Sequence, residues 1–142
     1  MGNAGQLQIV GLFIEESENN MRKTVLIVDD DSSLRRMMQT ALAMEGYTVI
    51  MAGHGRQALH LLMKQPADII VMDIDMPEMD GLETLQKLKA NPVTSPIPII
   101  MLTAADRAND VIRSIEAGAE LHLIKPFSPF ALLDLLKSYF KE

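Results

Sequence analysis

Four short segments of the chain each run from apolar residues into a reactive group: VLIVDDD at 25–31, IIVMDID at 69–75, IIMLTAA at 99–105 and LHLIKPF at 121–127. The groups at their ends are Asp29 and Asp30, Asp73, Thr103 and Lys125. Acids gathered with no histidine or cysteine among them form an all-oxygen donor set, which suits Mg2+ or Mn2+. Carboxylates a few ångströms apart repel, so some hold their protons unless a cation lies between them. The Lys125 ammonium and the Thr103 hydroxyl can each hold an anionic oxygen. A carboxylate can also act as nucleophile toward phosphorus, and phosphoryl transfer asks for little beyond positioning and charge stabilisation. The chemistry indicated is cation and phosphate handling. No Gly-x-x-x-x-Gly-Lys-Ser/Thr loop is present, so a P-loop nucleotide site is not indicated.

These groups meet only if the apolar runs are parallel strands, whose carboxyl ends form the ligand-binding edge of an open α/β sheet. Buried parallel strands read as short apolar runs, and from Thr24 onward such runs alternate with helical patterns. Strands are expected at 24–28, 47–52, 68–72, 99–102 and 121–124. Asp31 or Ser32 caps the first helix, and Leu34, Met37, Met38, Ala41 and Leu42 form its apolar stripe up to Gly46. Gly53 and Gly55 predict a turn before a helix over 57–64. Pro77 and Asp80-Gly81 mark a loop before a short helix lined by Leu82, Leu85 and Leu88. A helix over 107–117 is expected to turn Val111, Ile112 and Ile115 inward and to stop at Gly118. Ser128 as cap and Pro129 at the first helical position open the last helix, which runs to about Phe140. The pattern is five βα units with no internal repeat.

The chain has 142 residues, a length that suits one domain with a substantial core. A net charge of -6 argues against a nucleic-acid backbone as main partner. There is no cysteine, which excludes disulfides, thiolate metal sites and thiol nucleophiles and is compatible with a cytoplasmic location. No apolar run reaches the roughly 18–20 residues of a membrane span, so membrane insertion is not expected. Residues 1–20 stand apart, with an apolar stretch from Leu7 to Ile14 followed by acids and amides. They lack the basic start of a secretory signal. Met21 reads as the natural start of a domain over 21–142, and 1–20 as an upstream, artificial or disordered extension. The sharper alternative is an added element that packs on a neighbour.

From about residue 22 the chain resembles the receiver domain of bacterial two-component response regulators. Four motifs in order carry the resemblance: VLIVDDD, VMDIDMPEMDGLE, IIMLTAAD and LIKPF. It implies a flavodoxin-like, doubly wound five-stranded parallel sheet of order 2-1-3-4-5 with helices on both faces. It implies Asp73 as phosphoacceptor, Asp30 as a direct Mg2+ ligand, Asp29 completing the acidic pocket and the Asp75 backbone carbonyl as a third protein ligand. Thr103 would hydrogen-bond the phosphoryl group, Lys125 would pair with it, and the Lys125–Pro126 peptide would be cis. The switch would couple Thr103 to the aromatic position of the last strand, which here is His122, where the family usually carries Tyr or Phe. A histidine is smaller and titrates near neutral pH.

The implied donor is a phosphohistidine on a sensor histidine kinase or a histidine phosphotransfer protein. A downstream target protein would dock on the face around residues 107–117, His122 and the last helix. That face lacks dense alternating charges, so a monomer that binds no nucleic acid itself is expected. The ending SPFALLDLLKSYFKE leans toward a stand-alone receiver over one excised from a longer regulator. Such a protein is a self-phosphorylating and self-dephosphorylating regulator, not a metabolic enzyme. Two other readings stay open. Asp73-Ile74-Asp75 imitates the Asp-x-Asp of haloacid-dehalogenase-like phosphatases, but Pro77 stands where those enzymes carry Thr or Val. An inert receiver-like module would have lost the acids, the threonine or the lysine. Taken singly, Asp31 reads as a cap, His54 and His60 as surface residues, and most of the eleven methionines as core filling.

Overall fold

The structure is a computed structural model that describes residues 23–76 and 78–141. The reading of residues 1–20 as an extension lies outside them. Five parallel strands alternate with five helices: β1 (Thr24–Val28), α1 (Ser32–Met44), β2 (Thr48–Ala52), α2 (Gly55–Lys64), β3 (Ile69–Asp73), α3 (Gly81–Ala90), β4 (Ile99–Ala104), α4 (Ala108–Glu116), β5 (Leu121–Lys125) and α5 (Pro129–Phe140). The sheet order is β2-β1-β3-β4-β5, the expected doubly wound, flavodoxin-like arrangement. The order reverses between β1 and β3, and that switch point is where open α/β sheets bind ligands.

Strand side chains alternate between two apolar layers. Leu26, Val28, Ile70, Met72, Ile99 and Met101 face α2 and α3, meeting Ala58, Leu62, Leu85 and Leu88. Val25, Ile27, Ile69, Val71, Ile100 and Leu102 face α1 and α5, meeting Met38, Leu42, Leu132, Leu133 and Leu136. The three inner strands are covered on both faces, which is why their sequences are unbroken apolar runs.

Several boundaries differ from the sequence reading. Tyr47 is buried but precedes β2, because Gly46 takes a left-handed turn (φ 94°) immediately before it. Helix α2 begins at Gly55, two residues early, because His54 caps it: the Gln57 amide donates to His54 Nδ1 at 3.2 Å. Gly55 is therefore not a turn residue; a Cβ there would collide with Thr84 of α3. Asp68 lies before β3 and accepts from the Thr24 amide at 2.7 Å. Strands β4 and β5 continue through Thr103 and Lys125, because the ladder pairs Thr103 with Ile124 and Ala104 with Lys125.

Helix α4 is turned differently from its predicted stripe. Its buried residue is Ser114, while Ile112 and Ile115 are 54% and 56% exposed. Ser114 faces the sheet, where its hydroxyl meets His122 Nε2 of β5, and its small size lets the helix close on that strand. Of the methionines, Met38, Met72, Met76, Met79 and Met101 are core, but Met44 and Met63 are exposed.

Gly81, the first residue of α3, packs on the backbone of the loop after β3. Its amide donates to the Ile74 carbonyl at 2.8 Å, and a Cβ would collide with the Asp73 carbonyl oxygen. Close approach, not turn geometry, requires glycine here. Gly81→Ala is expected to cost about 1–3 kcal/mol, as overpacking against backbone does, read as a lower urea midpoint with an unchanged slope.

Candidate functional site

Strand register brings the predicted groups together at the switch point. Val28 of β1 lies opposite Met72 of β3, so Asp29 and Asp73 each follow by one residue at adjacent strand ends. Asp73 lies opposite Leu102 of β4, the residue before Thr103. Lys125 lies opposite Ala104, the residue after it. A sheet with these registers places two acids, a hydroxyl and an ammonium along one edge, and the loop after β1 adds Asp30.

One carboxylate oxygen each from Asp29, Asp30 and Asp73 lies within 4.8 Å of the others. Asp29 and Asp73 are buried and Asp30 is exposed, so the cluster has a floor and a solvent-facing rim. The floor is fixed by hydrogen bonds. The Asp31 amide donates to Asp29 Oδ1 at 2.9 Å, and the Arg35 guanidinium donates to the Asp29 carbonyl at 2.6 Å. The Asp75 amide donates to Asp73 Oδ1 at 3.3 Å. Asp31 itself caps α1 through the Ser33 and Leu34 amides, as expected of a cap and not of a ligand. Lys125 Nζ lies 3.0 Å from Asp73 Oδ1 and 3.6 Å from Asp29 Oδ2. The Lys125–Pro126 peptide is cis, as the resemblance implies.

The cluster is electrostatically incomplete. Burial, and after it the neighbouring Asp29 charge, push the Asp73 carboxyl up from 3.8 to about 6, against the lowering by Lys125. Burial also raises Asp29, despite the Asp31 amide and Lys125. For Lys125, burial pulls the ammonium down, but the Asp73 and Asp29 contacts outweigh it and the net shift is upward. One ammonium thus serves the two buried carboxylates, with the exposed Asp30 carboxylate beside them. Within the cluster, Asp29 Oδ2, 3.6 Å from the Lys125 ammonium, and the buried Thr103 Oγ1 have no hydrogen-bond partner. An unmade hydrogen bond at a buried polar group costs roughly 1–3 kcal/mol, so both atoms point to a ligand. The all-oxygen donor set and unneutralised charge fit Mg2+, which takes one or two carboxylates and completes its shell with water and phosphate.

Asp75 turns its side chain away from this cluster, 3.1 Å from Arg107 Nη2 at the start of α4. Both groups are about half exposed, and such a pair contributes on the order of 0–1 kcal/mol. Only the backbone of Asp75 is thereby left for a role in the pocket. Arg107 is not legible as a site residue in the sequence, since an arginine at a helix start carries no distinctive spacing.

His122 lies half-buried on β5, 2.5 Å from Ser114 Oγ. The Ser114 hydroxyl donates to the Val111 carbonyl at 2.8 Å, so its proton is committed. Ser114 Oγ then accepts, and His122 Nε2 carries the proton and donates. Burial lowers the His122 pKa from 6.5, so the ring is neutral at pH 7. Sequence reasoning misses Ser114, because a serine in a helix reads as surface until its ridge is known to face the sheet. Ser114→Ala is expected to cost about 1–2 kcal/mol by leaving the His122 donor unpaired. Urea unfolding at pH 7.5 measures it, and no loss would refute the assigned tautomer. His54 caps α2 and His60 lies within it, both outside the cluster.

Comparison with known proteins agrees with this geometry. The profile of the response regulator receiver domain family matches residues 25–137. The probable transcriptional regulator ycf27 of Porphyra purpurea is 38% identical over 123 residues, covering 87% of this chain and 49% of its own length. The chemotaxis protein CheY4 of Vibrio cholerae superposes with a TM-score of 0.77 at 35% identity, over 82% of this chain and 97% of its own. The receiver domain of a signal transduction histidine kinase from Syntrophus aciditrophicus superposes with a TM-score of 0.78 at 33% identity, over 84% and 90%. The chain spans about half the length of the curated relatives it matches. Fold, the arrangement of the acids, Thr103 and Lys125, and these matches agree: the chain belongs to the response regulator receiver domain family.

Proposed function

We propose that the chain is a phosphorylation-activated switch in which Asp73 accepts a phosphoryl group from a phosphohistidine. The observation that carries this is Lys125 Nζ at 3.0 Å from Asp73 Oδ1, with the unpartnered Thr103 hydroxyl on the neighbouring strand. An Asp73 carboxylate oxygen attacks phosphorus, the P–N bond to the donor imidazole breaks, and its electron pair leaves with the donor ring. Lys125 is displaced from Asp73 toward the phosphoryl oxygens, where its charge is of more use. Thr103 Oγ1 donates to one of those oxygens and so finds its partner. Mg2+, held by Asp29, Asp30, Asp73 and the Asp75 carbonyl, supplies positive charge against the phosphoryl group when bound. Hydrolysis of the acyl phosphate by water resets the switch.

The donor is a histidine kinase or a histidine phosphotransfer protein. The readout surface is the face of α4, β5 and α5, where Ile112, Ile115 and Ile124 stand exposed. His122 links α4 to β5 there through Ser114, so the coupling from Thr103 runs through a hydrogen-bonded neutral imidazole in place of a phenol or phenyl ring. The target is a protein bound by a monomeric receiver over 21–142. The relatives include a probable transcriptional regulator, a chemotaxis protein and a kinase receiver, so stand-alone and multidomain contexts are both represented. No described helix is long and apolar enough to cross a membrane; a cytoplasmic site of action follows from the kinase partnership.

Nothing in the site favours the phosphatase or the inert module, and the full set of acids, threonine and lysine stands against the latter. The test is incubation with acetyl phosphate and Mg2+, read by intact mass. A single phosphoryl adduct, labile to hydroxylamine and absent in Asp73→Asn, is expected. Multiple turnover of p-nitrophenyl phosphate without an adduct would establish the phosphatase instead.

A further inference from the structure

Asp29 and Asp30 are neighbours in the chain, yet they take opposite places in the acidic cluster. Asp29 is buried in its floor and Asp30 is exposed on its rim. An exposed carboxylate is placed by the backbone that carries it, so the peptide between the two residues decides whether both reach one ion. That peptide is planar, and the direction of the Asp29 carbonyl sets its tilt. Three contacts bracket Asp29. Its amide donates to the Ala52 carbonyl of β2 at 3.1 Å, its carboxylate accepts from the Asp31 amide, and its carbonyl accepts from Arg35 Nη1 at 2.6 Å. The first two hold what precedes and follows the peptide, and the third holds the peptide's own oxygen. Arg35 is itself held. It stands in the first turn of α1, where its amide donates to the Asp31 carbonyl at 3.0 Å. Its guanidinium lies against the loop after β2: a Cβ on Gly53 would sit 3.4 Å from Nη1 and 3.9 Å from Cζ.

We infer that Arg35 is a positioning residue for the Mg2+ site: its guanidinium, lying between the loops after β1 and β2, sets the Asp29–Asp30 peptide so that both carboxylates meet one ion. The inference rests on the metal reading above and adds a residue that acts through the Asp29 backbone and not as a ligand. A hydrogen bond from a guanidinium is roughly twice as strong as one from a neutral donor, so the carbonyl is firmly aimed. Groups that orient metal ligands govern roughly 10–100-fold in affinity. The sign of the effect is diagnostic. By charge alone, losing a guanidinium beside a cation site would tighten Mg2+ binding. Losing the alignment of two ligands weakens it.

The test is a MgCl2 titration of the full 142-residue chain, followed by the amide NMR shifts of Asp30, Asp31 and Asp75 in folded protein. Arg35→Met keeps an apolar stem and removes the donor. It is expected to raise the Mg2+ dissociation constant about 10-fold or more. Arg35→Lys keeps the charge but ends one bond short of the carbonyl, and is expected to recover only part of that loss. A purely structural role would lower the metal-free Tm of both variants and leave the dissociation constant at its parent value. Parent affinity in either variant, or tighter binding by Arg35→Met, would overturn the inference and leave the metal site standing. No Mg2+-dependent shift in the parent would overturn the metal reading and this inference with it.

Discussion

Asp73→Asn is expected to take up no phosphoryl group and yet to fold more stably than the natural sequence at neutral pH. The first half follows from chemistry: an amide oxygen is a poor nucleophile, and the variant has no carboxylate between Lys125 and the incoming phosphorus. The second half follows from burial. The Asp73 carboxyl is raised from 3.8 to about 6, first by desolvation and then by Asp29. A carboxyl raised in the folded state binds its proton more tightly there than in the unfolded chain. Stability therefore falls as pH climbs through the window between those two values, and the loss is complete above it. That window corresponds to roughly 3 kcal/mol with the Lys125 attraction already included, and the poorer hydrogen bonding of an amide in the carboxylate's place reduces the gain on substitution to about 1–3 kcal/mol. Urea unfolding in the absence of divalent cations measures it. The gain is expected at pH 7.5 and to shrink toward pH 4. A variant less stable than its parent at pH 7.5 would mean that the Lys125 pairing outweighs burial.

That cost of keeping Asp73 buried is also why the site is so legible in the sequence. Asp29 and Asp73 end apolar runs, Val25–Val28 and Ile69–Met72, that have no structural need for an acid, and parallel register then forces them together. The sheet order and the placing of Thr103 and Lys125 come with the motifs. What the sequence hides depends on rotation and close approach, which linear patterns do not encode. Ile112 and Ile115 look like a core stripe, but α4 presents Ser114 to β5 and turns them to solvent. Gly81 looks like a turn residue, but its constraint is the Asp73 carbonyl behind it. The Ser114–His122 and Arg107–Asp75 contacts join residues whose spacing carries no signal until the helix is set against the sheet.

Withdrawal of Mg2+ with a chelator is expected to slow phosphoryl uptake by about 100-fold or more, the range that several kcal/mol of charge stabilisation commands. Without a cation, a donor phosphoryl group approaches three carboxylates whose oxygens lie within 4.8 Å, two of which share one ammonium. The same imbalance makes binding visible without any reaction. At a hundredfold excess over its dissociation constant, Mg2+ adds about 2.7 kcal/mol of stability, a rise of several degrees in Tm for a domain of this size. Asp30 separates the two roles. It is exposed and stands on the rim of the cluster, so Asp30→Asn should leave the metal-free Tm close to that of the parent while abolishing most of the Mg2+-induced rise. Asp29→Asn should behave differently. It removes a buried charge whose pKa is raised, so it should raise the metal-free Tm and lose the Mg2+ response together. An undiminished Mg2+ response in Asp30→Asn would remove that residue from the metal site. Uptake from acetyl phosphate at an unchanged rate in chelator would remove the metal from the reaction altogether, leaving Lys125 to balance the charge alone.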